Sequence, residues 1–208
     1  MPVWCAARAA ELDGVPLPET LQVDGRTLQL NGFGLRTYSL LRLHVYVAAL
    51  YLRHPSSDPE QILESRETKL LTVRFVRSVS AGEARNAWRK GLRNNCQAPC
   101  QLDPGDVARF LAAVPAMHAG DDYSLLFTRR GATVRVNGHL MGIISQPQFA
   151  EAMLATFLGP RPGSETLKRG LLAAMHKRQV GHAGSVMHAG SAITAPDRSG
   201  GFASSARQ

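Results

Sequence analysis

The residues of this chain best suited to chemistry are an arginine and a tyrosine that lie ten residues apart in an otherwise apolar run. Arg36 follows two closely spaced glycines, and Tyr46 lies further along a stretch, residues 35–52, whose composition predicts one long strand. Side chains alternate between the two faces of a strand, so an even spacing places both on the same face. The pair predicts either a polar handle at one end of an apolar pocket, or an arginine that reaches water beside a tyrosine that fills core.

The elements that would position this pair are segregated along the chain, because strand patterns dominate early and late and helical patterns lie between and after them. Asp24-Gly25 predicts a type I′ hairpin. Ser80 and Glu83 form a capping-box pattern that opens a helix. This segregation favours an α+β fold with an antiparallel sheet. The predicted strands are 17–23, 27–30, 35–52, 69–77, 123–128, 132–136 and 140–144, and the predicted helices are 59–64, 80–94, 104–114, 148–158 and 164–175.

Composition limits the classes of function. The chain has 208 residues, of which 44% are hydrophobic, enough for one domain with a real core. No apolar run reaches the length of about 18 residues that a membrane-spanning helix needs. The net charge of +8 would permit an acidic partner. The charge is spread along the chain, however, without a zinc-finger spacing or a long basic run, which argues against nucleic-acid binding.

The cysteines predict no metal site. Cys96 and Cys100 are spaced too widely for a C-x-x-C redox pair, and no histidine cluster accompanies them. In an oxidising compartment they could close a small disulfide loop after a helix, and in the cytoplasm they would remain thiols. Neither the cysteines nor any glycine-rich loop predicts a cofactor.

Several segments, taken in order, resemble one family. Gly-Phe-Gly-Leu-Arg36-Thr and Val-Tyr46-Val-Ala-Ala-Leu resemble the first strands of the chalcone isomerase-like family, especially its bacterial branch. The resemblance continues through residues 86–91 and 149–159 and covers about residues 11–175. It implies an open-faced β-sandwich, in which helices pack on one side of a large antiparallel sheet and a ligand cleft lies between.

The same resemblance bears on catalysis. Arg36 matches the arginine of chalcone isomerases, Thr156 matches a late-helix Thr or Ser, and Tyr46 stands where the isomerases have a Thr. The catalytic Tyr of the family would fall at residues 83–85, which read Glu-Ala-Arg, and its Asn would fall on Gly91. We therefore expect no chalcone cyclisation. If the protein is an enzyme, the resemblance implies an isomerase of the intramolecular lyase type that uses Arg36, Tyr46 and Thr156.

The surviving pair, Arg36 with Tyr46, resembles the fatty-acid-binding branch of the family. A guanidinium binds a carboxylate through parallel hydrogen bonds, and a phenol can add another. We therefore predict a non-catalytic binder of a small amphipathic carboxylate such as a fatty acid, held by Arg36, Tyr46, Thr156 and Trp88. An isomerase with an unidentified substrate and an accessory protein with a vestigial pocket remain alternatives. Apolar residues that could line the channel, although each is more often plain core, are Phe75, Trp88, Phe149, Met153 and Phe157.

The two ends of the chain carry separate expectations. Residues 1–10 resemble the end of a secretory signal whose basic and apolar regions are lacking, and the family's bacterial members usually carry a complete one. We predict a periplasmic or secreted protein whose mature chain begins near Ala10 or Glu11, with a cytoplasmic protein as the alternative. The family-like domain is placed at residues 11–175. Residues 176–208 are rich in Gly, Ala, Ser and His, which predicts a disordered tail.

Overall fold

A seven-stranded antiparallel sheet forms the centre of the computed structural model, which describes residues 9–38 and 43–174. Each strand of this sheet pairs with the next one along the chain, in the order β3 to β9, and a separate hairpin joins β1 to β2. The strands are β1 Ala9–Leu12, β2 Val15–Pro18, β3 Thr20–Val23, β4 Arg26–Tyr38, β5 Leu43–Leu52, β6 Lys69–Phe75, β7 Asp122–Thr128, β8 Gly131–Val136 and β9 His139–Ile144. The helices are α1 Pro59–Glu64, α2 Ala81–Asn95, α3 Pro104–Ala113, α4 Pro147–Leu158 and α5 Glu165–Leu171.

Three hairpins turn on an Asp-Gly or Asn-Gly pair whose two residues both have positive φ, as a type I′ turn requires. The φ values are 48° and 72° at Asp24-Gly25, where the turn was predicted, and 49° and 77° at Asn137-Gly138. Asp13-Gly14, with φ of 54° and 75°, joins β1 to β2 in the same way. The sequence analysis did not predict this hairpin, although the turn signal is the same.

The apolar run at residues 35–52 is two strands, so the prediction of one long strand was wrong. β4 and β5 pair antiparallel, and Arg36 lies directly opposite Tyr46. Alternation of side chains cannot distinguish one long strand from a hairpin when the connection is itself apolar. Residues 39–42 read Ser-Leu-Leu-Arg, without the Gly, Asn or Pro that marks a turn, and they lie outside the described residues.

The two faces of the sheet bury different cores. Along β5, Ala48 and Leu50 face the helices, whereas Val47 and Tyr51 face the β1–β2 hairpin. The predicted α+β architecture with helices on one side is confirmed, and the hairpin adds a small cover on the opposite face. The helix-side core includes Leu50, Leu71, Leu125, Val134, Phe149, Met153 and Leu158, and the hairpin-side core consists of Val15, Leu17, Leu28, Leu30, Val47, Ala49 and Tyr51.

The helices begin where their caps predict. The Asp58 carboxylate accepts from two backbone N–H groups at the start of α1, and the Asp103 carboxylate accepts from the Asp106 N–H at the start of α3. The capping box at Ser80 and Glu83 is complete, because each side chain bonds to the other residue's backbone. These caps fix the first turns of the three helices that precede β7.

Helix α5 lies directly on strand β4, backbone against backbone. A Cβ atom at Gly32 would collide with the carbonyl oxygens of Gly170 and Leu171. Asn31, which is fully buried, donates from Nδ2 to the Leu171 carbonyl at 2.8 Å and accepts from the Ser56 N–H at 2.8 Å. The glycine and the satisfied amide therefore bring α5 close to the half of β4 that carries Arg36.

Past the end of α2, Cys96 and Cys100 form a disulfide, so the sulfurs close a small loop there. No helix in residues 9–38 and 43–174 is long and apolar enough to span a membrane. Residues 1–8 and the predicted tail at 176–208 lie outside the described residues. Strand β1 begins at Ala9, and Ala10 pairs with Leu17.

Candidate functional site

Arg36 and Tyr46 are cross-strand neighbours near the ends of β4 and β5 that meet at residues 39–42. Residues directly opposite in an antiparallel pair share one face, with Cβ atoms about 5 Å apart. Both side chains are half-buried, and Tyr46 packs against the helix-side core. Arg36 and Tyr46 lie on one face of the sheet, as predicted. They do so because they are opposite each other on two paired strands, and not because of an even spacing along one strand.

The Arg36 guanidinium bonds to the loop that joins α4 to α5. Its Nη1 donates to the Gly163 carbonyl at 2.5 Å, and Gly163 immediately precedes Ser164, the N-cap of α5. The Gly163 N–H donates in turn to the Thr156 carbonyl at 2.9 Å. A guanidinium has several N–H donors arranged as a fork, so this bond leaves capacity for a carboxylate.

Tyr46 is a neutral hydrogen-bond donor at physiological pH. Burial raises the pKa of its phenol to about 12, although the neighbouring Arg36 charge opposes the shift. Its ring lies 5.4 Å from the Phe75 ring, centroid to centroid, at a tilt of 59°. A neutral phenol beside a guanidinium can donate to the same carboxylate that the guanidinium binds.

Behind this pair, the helix-side face of the sheet meets a cluster of aromatic rings. The Trp88 ring lies 5.2 Å from Phe110, 5.9 Å from Phe157 and 6.3 Å from Tyr123. Phe110 also meets Phe149 at 5.7 Å. The predicted lining residues Trp88, Phe149 and Phe157 therefore belong to one aromatic cluster in the helix-side core, which Phe110 and Tyr123 complete.

Thr156 takes part in helix packing. Its hydroxyl donates to the Met153 carbonyl at 2.7 Å, within α4. Its methyl group abuts Gly91 on α2, where an added Cβ would lie 2.8 Å from Thr156 Cγ2. The position that the family resemblance assigns to a catalytic Asn thus has no room for a side chain in this packing, and a ligand-binding role for Thr156 stays a prediction.

The first turn of α2, where a catalytic Tyr was sought, is occupied by structural contacts. Glu83 accepts from the Ser80 N–H and hydroxyl, and these hydrogen bonds lower the pKa of its carboxyl. Arg85 donates from Nε to the Val114 carbonyl at 3.2 Å and from Nη2 to the Ala112 carbonyl at 3.3 Å. Glu83 therefore caps α2 and Arg85 joins α2 to α3, and the absence of chalcone cyclisation stays a prediction.

Two further side chains fix the α4–α5 loop, and the sequence analysis did not find them. Asn95 donates from Nδ2 to the Arg161 carbonyl at 2.9 Å, and Lys168 donates from Nζ to the Gly159 carbonyl at 2.8 Å. Residues 159–163 contain two prolines and two glycines. Such a segment forms no regular hydrogen-bond ladder, so its carbonyl groups need donors from other parts of the chain. This composition was the feature of the sequence that could have predicted side-chain donors to the loop.

Two surface clefts that the described residues form lie elsewhere than at Arg36 and Tyr46. One surface cleft of about 540 Å³ lies between α2 and α3, and another of about 600 Å³ lies beside α1 and the start of β6. Neither is lined by Arg36 or Tyr46. Within the described residues, no group of His, Cys, Asp and Glu side chains is arranged to hold a metal ion.

Comparison with known proteins identifies the family to which this fold belongs. Residues 9–173 match the chalcone isomerase-like family, and the chain belongs to that family. A search of curated proteins found no match. Among solved structures, the chain is similar to a fatty-acid binding protein of Arabidopsis thaliana, with a TM-score of 0.65 and 15% identity over 79% of this chain and 96% of that one. At this identity the likeness shows a shared fold.

Proposed function

We propose that this protein is a non-catalytic binder of an amphipathic carboxylate, such as a fatty acid. The observation that carries the proposal is the cross-strand pair of Arg36 and Tyr46 on the helix-facing side of the sheet. A solved protein of the same fold is described as fatty-acid binding, which supports the same ligand class here.

In the proposed complex, the Arg36 fork and the Tyr46 phenol hold the carboxylate by charge-assisted hydrogen bonds. The alkyl chain runs past Phe75 toward the aromatic cluster. Aromatic rings occupy that region, so the alkyl chain of the ligand replaces some of the contacts that the rings make with one another. Trp88 and Phe157 change rotamer in the proposed complex to make room for it. Trp88 is half-buried, so it can move with less loss of buried area than the fully buried Phe149.

The central experiment is a titration of a fluorescent fatty acid into wild-type protein and variants of the pair. Arg36→Ala should weaken binding by about 1.5 to 3 kcal/mol, the scale of hydrogen bonds to charged groups. Tyr46→Phe should cost about 0.5 to 1.5 kcal/mol, because it removes one neutral donor and keeps the ring. Arg36→Lys should restore only part of the affinity, since an ammonium cannot form the fork.

Arg74→Ala is the matched control for this series. Arg74 also lies on a strand and donates to a glycine carbonyl, that of Gly120 at 2.5 Å, but it pairs with Val47 and so faces the opposite side of the sheet. Its loss should leave fatty-acid affinity unchanged. Equal affinities across all variants, or an Arg36→Ala protein that has lost its folded structure, would show that Arg36 only holds the loop.

The alternative function, an isomerase, has its own test. Because residues 83–85 and Gly91 replace the catalytic residues that the resemblance implies, purified protein should not accelerate chalcone cyclisation above the spontaneous rate. An absorbance assay with a chalcone substrate measures this directly. Clear turnover would reject the binder proposal and return Arg36, Tyr46 and Thr156 to catalytic roles.

We also propose that the protein works outside the reducing cytosol, in the periplasm or after secretion. The Cys96–Cys100 disulfide supports this, because disulfides persist mainly in oxidising compartments. The signal-like residues before Ala10 support it as well.

A further inference from the structure

The hydroxyl of Tyr123 is the one buried side-chain polar atom without a hydrogen-bond partner in the described part of the chain. Tyr123 lies on β7, is 6% exposed and belongs to the helix-side core. Its nearest aromatic neighbour is Trp88, with ring centroids 6.3 Å apart. An unpaired buried hydroxyl destabilises a folded protein, so its presence calls for a partner that the folded chain itself does not supply.

The strand register places this hydroxyl at a definite position relative to Arg36. Arg36 lies opposite Tyr46, and Tyr46 lies opposite Phe75 on β6. Tyr123 lies opposite Val73, two residues from Phe75 along β6 and one strand further on. Three strand spacings and two residues along a strand separate Arg36 from Tyr123 by roughly 16 Å between Cα atoms.

The Tyr123 phenol can act only as a neutral group. Burial raises its pKa well above the ordinary value, and no charge opposes the shift. A protonated phenol in apolar surroundings is a hydrogen-bond donor that seeks an oxygen or nitrogen acceptor. The same face carries the proposed path of the alkyl chain past Phe75 and Trp88.

We propose that the ligand of this protein carries a second oxygen, a hydroxyl or an oxo group in mid-chain, and that Tyr123 donates a hydrogen bond to it. The inference rests on the proposed function, because the carboxylate at Arg36 sets the origin of the chain. Side chains on one face of a sheet project in parallel, so the polar ends of Arg36 and Tyr123 are separated by roughly the same 16 Å, a distance that an extended alkyl chain of about twelve carbons spans. The ligand class is therefore an oxygenated fatty acid rather than a plain saturated one.

The experiment compares three probes by competition against a bound fluorescent fatty acid. These are octadecanoate, octadecanoate with a hydroxyl on the twelfth carbon, and octadecanoate with a hydroxyl on the second carbon. Wild-type protein should bind the mid-chain hydroxy acid about fivefold to tenfold more tightly than octadecanoate, the effect of one additional hydrogen bond. The isomer hydroxylated near the carboxylate should gain nothing.

Substitutions of tyrosines test whether the Tyr123 hydroxyl causes the preference for the mid-chain hydroxy acid. Tyr123→Phe should abolish the preference for the mid-chain hydroxy acid over octadecanoate, because phenylalanine keeps the ring and has no hydroxyl to donate. Tyr51→Phe is the matched control, since Tyr51 is 1% exposed but lies in the hairpin-side core, away from the proposed path. It should keep the preference.

The outcomes separate this inference from the proposed function. If wild type binds all three acids equally and Arg36→Ala still weakens binding, the carboxylate site stands and the role of Tyr123 is refuted. If no acid binds, both proposals fall. Should Tyr123→Phe not fold, the wild-type preference between the two hydroxy isomers decides alone, and no difference between them overturns the inference.

Discussion

At the scale of residues, Arg36 has two acceptors to serve. Its guanidinium already bonds to the Gly163 carbonyl, and the proposed ligand would add a carboxylate to the same fork. A carboxylate is the stronger acceptor because it is charged. In the proposed complex, ligand binding and the position of the α4–α5 loop would therefore be coupled through the Arg36 side chain, and a lysine with its point charge would serve both acceptors less well.

The buried tyrosines predict a loss of stability at alkaline pH. Burial raises the pKa values of Tyr46 and Tyr51 from 10.0 to about 12. Between these values the unfolded chain loses phenol protons that the folded chain keeps, so the free energy of unfolding falls as pH rises from about 10 to about 12 and is fully present below that window. Two pKa units correspond to about 2.7 kcal/mol for the fully buried Tyr51, and the half-buried Tyr46 should contribute less.

Urea unfolding at several pH values across this window measures the effect. Tyr51→Phe should flatten the decline, because phenylalanine has no proton to lose. A decline of the same steepness in Tyr51→Phe, or stability that is constant across the window in wild type, would contradict the assignment.

At the scale of elements, the contact between β4 and α5 depends on glycines, which have no side chain to keep the two backbones apart. Gly32 leaves space for the carbonyls of Gly170 and Leu171, and a Cβ at Gly170 would likewise approach the backbone of Phe33 and Gly34. A backbone obstacle cannot rotate away as the tip of a side chain can. The placement of α5, and through Ser164 that of the loop that Arg36 holds, therefore depends on these glycines.

Gly32→Ala should lower the free energy of unfolding by about 2 kcal/mol or more, because the helix must shift to accept the methyl group. It should also reduce fatty-acid affinity, since the loop moves with α5. Gly82→Ala is the matched control, because an added Cβ there meets only Ser80 Oγ at 4.0 Å and the position is helical and exposed. That change should raise stability by about 0.5 to 1 kcal/mol. Chemical denaturation of both variants tests the pair, and a Gly32→Ala protein as stable as wild type would refute the close contact.

At the scale of the whole molecule, the proposal of export predicts a processed and oxidised protein. In cells that make the natural chain, the mature protein should begin near Ala10 or Glu11 and be found outside the cytoplasm. Thiol labelling of denatured, unreduced protein should leave Cys96 and Cys100 unmodified, since they are joined. N-terminal sequencing that finds Met1 or Pro2 on cytoplasmic protein, with both cysteines labelled, would reject export.

Local signals made most of the architecture predictable. Asp24-Gly25 predicts its turn and the Ser80 capping box predicts the start of its helix, because each depends only on residues that are close in the sequence. The number of strands at residues 35–52 was not predictable, because no turn residue marks the break. The partner of Arg36 and the unpaired hydroxyl of Tyr123 follow from long-range register and packing, which no local pattern encodes.

The order of the strands has a consequence for how the protein is made. Since each strand of the main sheet pairs with the one before it, the sheet can assemble progressively while the chain is still being synthesised. The Arg36 bond to Gly163 spans 127 residues, and the Asn31 bond to Leu171 spans 140. A growing chain can therefore form the sheet before the α4–α5 loop and α5 exist, and the carboxylate site proposed at Arg36 is the last part of the fold to be completed.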